Sequence, residues 1–344
     1  MLEGKKRLVW IDAVKGIGIL LVMLSHSCGI PVIGNWLYAN YMPLFFILSG
    51  YTLKSVECSL EFVKRKAVRL LIPYIFYGLL TSSLGVVFTI INNNFEILEA
   101  ILKYTGLIYS RFCFFPLGTE PNIYFFRAEN SPLWFLTAMF MAYIWVMIYD
   151  KVKRKYKLLI AILYIILTLV MSNLPILLPW SLDTSFIGAL FIIVGKELKK
   201  YKLEKYSTNK KLASFIVGCG LYIILVYING YTNFSIRIYG DWNELSIFLF
   251  GVNGIIGTIL YCMVIKYYNQ RLFVSLLASI GRMSMTLMCI HLLLFRVIHI
   301  FIKEANLNQY VDGIICLSVT ILCAYVFKKI SSILSKYIYW LIWL

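Results

Sequence analysis

The chain has 344 residues, 61% of them hydrophobic and 14% charged, with a mean hydropathy of +0.81 and a net charge of +17. Soluble domains carry roughly 25% charged residues, so this composition excludes a water-soluble protein and indicates an integral membrane protein with no soluble domain left over. The positive excess lies in short connecting loops, where Lys and Arg orient membrane spans, and this removes nucleic acid as a partner.

Apolar stretches near the roughly 20 residues that cross a hydrocarbon core recur from one end to the other. The start, "MLEGKKRLVWIDAVKGIGILL", has a basic lead and an apolar core like a signal peptide. Asp12 and Lys15 interrupt that core and no small-residue cleavage site follows, so the segment is expected to stay as the first span. The pattern predicts spans over 9–28, 36–53, 71–91, 132–149, 157–172, 182–196, 212–229, 245–266, 283–302 and 311–334. The predicted fold is therefore all-α: a polytopic integral membrane protein of about ten transmembrane helices, read as a single transmembrane domain over 1–344. The basic segments "EGKKR", "KRKAVR", "KVKRKYK" and "KELKKYKLEK" fall in every second loop, which predicts that both termini are cytoplasmic. Two loops predicted outside, 92–131 and 230–244, are long and rich in aromatics such as Phe112, Tyr124, Tyr239 and Trp242. They read as an ordered amphipathic surface, either a sugar-binding face or an aromatic belt at the headgroups. No internal repeat is visible. The eight cysteines show no paired short spacing and most lie in apolar runs, so no metal is expected.

Within the first span, "DAVKGIGILLVMLSH" carries three ionisable side chains. Lys15 and His26, eleven residues apart, share one helix face about 16 Å apart along the axis, and Asp12 lies one turn before Lys15, within pairing reach. Such residues are costly in lipid and face a bundle interior or a watery cavity. The bland alternative is a snorkelling ion pair with His26 closing the helix end. An imidazole titrates near neutral pH and is suited to take a proton from a hydroxyl. In "VKRKAVRLLIPY", Lys66 and Arg69 lie one turn apart with Lys64 and Arg65 beside them, a basic patch able to hold phosphates. It would serve equally as an orientation signal touching anionic lipid. In the ninth span, His291 with Ser284 reads as a second proton carrier or as a hydrogen-bonded bundle residue, and His299 as structural. Trp134 reads as an interfacial anchor, and Arg237, Asp241 and Glu244 as outside charges that orient a sugar or solvate a loop.

Taken in order, these segments resemble the membrane-bound acyltransferase-3 family, whose first span is marked by a basic residue, ten intervening residues and a histidine, here Lys15 and His26. "PLFFILSGYTL", "FVKRKAVRLLIPY", "SPLWFLTAMF" and "SMTLMCIHLLLF" follow in the family's order and are scattered over most of the chain. The chain is most similar to the branch resembling fucose 4-O-acetylases of surface polysaccharides. The resemblance implies an enzyme that moves an acetyl group from cytoplasmic acetyl-CoA to a hydroxyl of a cell-surface glycan or its lipid-linked precursor. It makes Lys66, Arg69 and Arg65 the candidate site for the phosphates of acetyl-CoA. His26 becomes the general base, and Lys15, with Asp12 beside it, the group that stabilises the thioester or its oxyanion. A covalent acetyl-histidine is also open. The implied partners are acetyl-CoA, membrane lipids and the glycan acceptor, with homo-oligomerisation left open. A transporter on the same fold is the alternative. Broken helices and repeat symmetry would mark it, and neither is visible. Some relatives carry an extra hydrolase-like domain, whereas this chain ends in "YIYWLIWL", so transfer is expected without one.

Overall fold

A computed structural model describes residues 8–27, 39–53, 59–91, 97–110, 113–115, 123–126, 130–201, 208–242, 244–267, 271–302 and 308–334. In chain order the elements are α1 (Val9–Ser27), α2 (Tyr41–Thr52), α3 (Leu60–Ile91), α4 (Ile97–Tyr109), β1 (Cys113–Phe115), β2 (Ile123–Phe126), α5 (Trp134–Lys151), α6 (Lys157–Ser172), α7 (Leu182–Leu198), α8 (Thr208–Asn229), α9 (Glu244–Tyr267), α10 (Arg271–Arg282), α11 (Ser284–Ile302) and α12 (Gln309–Leu334). Among the described residues the regular structure is helical apart from β1 and β2, an antiparallel pair in which Phe114 faces Tyr124 and Phe115 faces Ile123.

The expectation of about ten spans is not met. Among the described residues, six helices are long and apolar enough to cross a membrane: Val9–Ser27, Leu60–Ile91, Ser131–Lys151, Arg154–Ser172, Glu244–Lys266 and Ser284–Ile302. The remaining four expected spans, in α2, α7, α8 and α12, are not among them. α2 has 12 residues, about 18 Å at 1.5 Å per residue, and α7 has 17. α8 and α12 have 22 and 26 residues, and among the described residues their apolar helix runs over Ala213–Asn229 and Tyr310–Val326. Hydropathy alone does not see where a helix stops. With six such helices, the alternation of loops built on ten spans no longer assigns either terminus to a side.

The helices form two compact units. One comprises α1 and α8 to α12; the other comprises α3 to α7, the β1–β2 pair and the segment Asn233–Tyr239, the division falling inside α2 after Leu48. In the first unit, α1 packs against α9, α10, α11 and α12. Its closest neighbour is α10, which occupies part of what the sequence suggested was a loop. A Cβ on Gly16 would overlap the Leu277 carbonyl oxygen, and one on Gly281 would overlap the Asp12 carbonyl oxygen. Ala13 and Ala278 are fully buried. Lipid tails are as apolar as Leu, so helices in a bilayer associate through close van der Waals packing, and small residues permit it.

In the second unit, α3 buries Leu70, Pro73, Tyr74, Tyr77, Gly78, Thr81, Ser82 and Gly85, a stripe at three- and four-residue spacing. Its other side exposes Ile72, Ile75, Phe76, Leu79 and Ile90, an apolar surface suited to lipid rather than water. α5, α6 and α7 are joined by aromatic rings. Trp145 stacks on Phe186 at 4.7 Å between centroids and meets Tyr164 edge-on at 6.2 Å. The Trp145 indole donates to Ser185 Oγ at 2.8 Å. Trp134 was expected at the interface, but it is buried and edge-on to Phe234 at 5.6 Å.

Candidate active site

The fold of the first unit explains why α1 tolerates charge. With four helices around it, much of its surface meets protein rather than lipid. Asp12 is buried, Lys15 half-buried one turn later, and His26 exposed near the C-terminal end. Lys15 and His26 remain on one continuous helix, about 16 Å apart along its axis. That exceeds the combined reach of a lysine and a histidine, so both cannot touch one carbonyl.

The structure brings His26 to His291. Their ring centroids are 5.3 Å apart with a 38° tilt. His291 is fully buried on α11, and its Nδ1 lies 3.0 Å from the Leu287 carbonyl oxygen and 2.9 Å from that of Met288. Carbonyls only accept, so Nδ1 carries the proton and donates to them. Nε2 is thereby left with a lone pair, and it has no hydrogen-bond partner among the described residues. Phe295 holds the ring edge-on at 5.7 Å. Ser284, at the first residue of α11, lies two turns before His291, about 10 Å away along the axis. It shares a face with the histidine pair without joining it.

The basic patch lies at the start of α3, in the second unit. Lys66 is half-buried with Nζ 3.5 Å from the centroid of the Tyr143 ring and 5.5 Å from that of Phe62. Arg65 is exposed and donates to Glu61 at 2.7 Å, and Arg69 is exposed one turn after Lys66. The three cations therefore differ: one rests on aromatic faces, one is paired to a neighbouring carboxylate, and one is open to approach.

A profile of the acyltransferase-3 family, described as an acyltransferase domain, matches residues 8–329. The chain belongs to the acyltransferase-3 family. The match runs from the start of α1 into α12, so it takes in both the histidine pair and the basic patch. No curated protein and no solved structure matches the chain. Membership in the acyltransferase-3 family gives this multi-pass membrane protein acyl transfer as its chemistry.

Other residues of this acyltransferase sit differently from expectation. Arg237 is not a solvated loop charge. Its guanidinium donates to the carbonyl oxygens of Met171 and Leu174, the latter at 2.8 Å. Its Nε lies 3.5 Å from the fully buried carboxylate of Asp183. Asp241 and Glu244 are exposed. Tyr239, expected on a surface, is buried beside Phe234, whereas Trp242 is exposed; Phe112 lies outside the described residues. Lys103 went unnoticed in the sequence because it falls in the long segment read as a loop. It is buried on α4 and donates to the Gly85 carbonyl at 3.2 Å. With Tyr74, Thr81, Ser82, Ser110 and Asn130 it lines a cavity of about 10 Å³. That volume suits one water molecule and excludes a sugar.

Proposed function

We propose that this acyltransferase is a membrane O-acetyltransferase, moving an acetyl group from cytoplasmic acetyl-CoA to a hydroxyl of a cell-surface glycan or its lipid-linked precursor, as in the fucose 4-O-acetylase-like branch. The observation that carries the reading is the histidine pair: an exposed imidazole packed against a buried one whose free Nε2 accepts and does not donate. His26 is the general base. Packed against the His291 ring at 5.3 Å between centroids, a neutral His26 keeps a lone pair on one ring nitrogen for the acceptor. It takes the hydroxyl proton as the oxygen attacks the acetyl carbonyl. The C–S bond then breaks, and the proton returns to the departing CoA thiolate. His291 is a positioning residue, as the third member of a nucleophile–base array is.

Lys66 and Arg69, supported by Arg65, hold the donor's phosphates. Charge-assisted contacts of this kind are the strong ones, and exchanging an aromatic face for a phosphate is open to Lys66. Lys15, with Asp12 one turn away, acts on the acyl-bearing arm of the donor at a different depth from His26. The roughly 16 Å between them fits an extended pantetheine arm better than one oxyanion.

The test uses membranes containing the full chain, acetyl-labelled acetyl-CoA and surface glycan from the producing cell. His26→Ala is expected to lower acetyl transfer about 100-fold or more, the usual contribution of general-base help, while leaving thermal unfolding in detergent nearly unchanged. Retention of a tenth of the parent rate would remove His26 from this role. His291→Ala is expected to fall between the two.

A further inference from the structure

A second cluster of chemically versatile side chains lies away from the histidine pair, where the end of α11 meets the start of α12. Asn308 opens α12 by accepting the Tyr310 amide on its side-chain oxygen at 2.9 Å. The helix that follows places Asp312 and Cys316 one turn apart on one face. From α11, His299 points at them: its Nδ1 is 3.3 Å from Asp312 Oδ2, and Cys316 Sγ is 3.6 Å from Asp312 Oδ1. One ligand atom from each of the three lies within 4.8 Å of the others.

We infer that His299, Asp312 and Cys316 form a Zn²⁺ site that clips α11 to α12. The distances carry the argument. Zinc bonds of about 2.0–2.2 Å to nitrogen or oxygen and about 2.3 Å to sulfur, at tetrahedral angles, put N and O ligands roughly 3.4 Å apart and sulfur roughly 3.6 Å from either. The two measured separations are of that size but reach different oxygens of Asp312, Oδ2 from His299 and Oδ1 from Cys316, so metal entry turns the carboxylate or engages both its oxygens while the His299 side chain, 47% exposed, moves in from a cluster already within 4.8 Å. A nitrogen, oxygen and sulfur donor set suits zinc, whereas magnesium and calcium prefer oxygen alone. The charges also balance. Zn²⁺ binding releases the Cys316 thiol proton to solvent, and the thiolate and carboxylate together neutralise the cation around a neutral imidazole. A neutral site suits a helix junction next to lipid, where net charge is penalised. The fourth position is left to water on the exposed side of His299. Residue spacing carries no hint of metal, because the ligands pair a thiol with an acid across one turn and take their third member from another helix.

The experiment strips the purified full chain in detergent with chelator, re-equilibrates it with ZnSO₄ or CoCl₂, and removes excess metal by gel filtration. The parent is expected to retain about one zinc per chain and, with Co²⁺, to show a thiolate-to-cobalt charge-transfer band. Both are expected to be lost in Cys316→Ser and His299→Gln and kept in Cys219→Ser. His299 is exposed, so its substitution leaves folding intact and keeps the comparison valid if Cys316→Ser does not accumulate. A parent that holds no more zinc than His299→Gln, or a cobalt spectrum without a thiolate band, overturns the site.

Discussion

Arg237 and Lys66 are both cations that the sequence singled out, and burial separates what they do. Arg237 sits in the left-handed region at φ 64°, a conformation that costs a non-glycine residue roughly 1–2 kcal/mol. It is held there by two carbonyls and a buried carboxylate. The Asp183 carboxylate also accepts the Leu178 amide at 3.1 Å and the Thr184 amide at 2.9 Å. Arg237→Ala leaves that charge buried without its counter-ion and is expected to cost about 3–5 kcal/mol, read as a lowered unfolding temperature in detergent. Lys66, resting on the Tyr143 ring, has donors that a phosphate can recruit. Lys66→Ala with Arg69→Ala is expected to weaken acetyl-CoA binding by about 1.5–3 kcal/mol for each lost contact, measured by equilibrium binding. Unchanged affinity in the inserted double mutant would leave the patch an orientation role only. The spacing of Lys66 and Arg69 was legible because one helix turn fixes it. The Tyr143 seat was not, since cross-helix partners have no local signature. Arg237 was misread for the same reason: its carboxylate arrives from α7.

At the scale of elements, the contact between α1 and α10 depends on two residues without side chains. Gly16→Leu drives a branched side chain into the Leu277 carbonyl, and overpacking of this kind costs about 1–3 kcal/mol. The variant is expected to unfold at lower temperature and to lose acetyl transfer, because α1 carries both Lys15 and His26. Gly251→Ala on α9 is the control. Its added Cβ meets nothing within 4 Å, and removing a helical glycine is worth up to about 1 kcal/mol of stability. Equal destabilisation in the two would show that the close approach is not what holds α1. That α1 is helical, and that polar residues share its face, could be read from the 3.6-residue period. That α10 is a helix at all could not be read from hydropathy, because its 12 residues are too few to register as a span. α4 was hidden in the same way.

For the whole molecule, composition was enough to assign a helical membrane protein, and the ordered motifs were enough to reach the family. The number of spans was not legible, because apolar residues in α2 and α7 look the same whether they meet lipid or other helices; Phe46, Leu48 and Ile192 are buried in protein. The histidine pair was half legible. Each histidine stood out as an ionisable residue in an apolar run, but only the packing of α11 on α1 joins them.

The central position of α1 has a consequence for how the chain is made. α1 is complete at Ser27, whereas the helices that surround it begin at Glu244 and the last of them at Gln309. At roughly 5–20 residues per second, the interval is on the order of tens of seconds. Throughout it, Asp12, Lys15 and His26 wait in a helix that has α2 beside it, through Leu44, Phe45 and Tyr41, but not yet its four C-terminal neighbours. An ionised group at the centre of an isolated span carries a penalty of about 2.5–3.5 kcal/mol on insertion scales, which bears most on Lys15, since Asp12 lies in the first turn and His26 in the last. The leucines, isoleucines and valines of the same segment, together with α2, must therefore hold it in place until the C-terminal helices arrive. α1 thus reaches its final surroundings long after it is made, and the ribosome's pace sets how long its polar face is left partly uncovered.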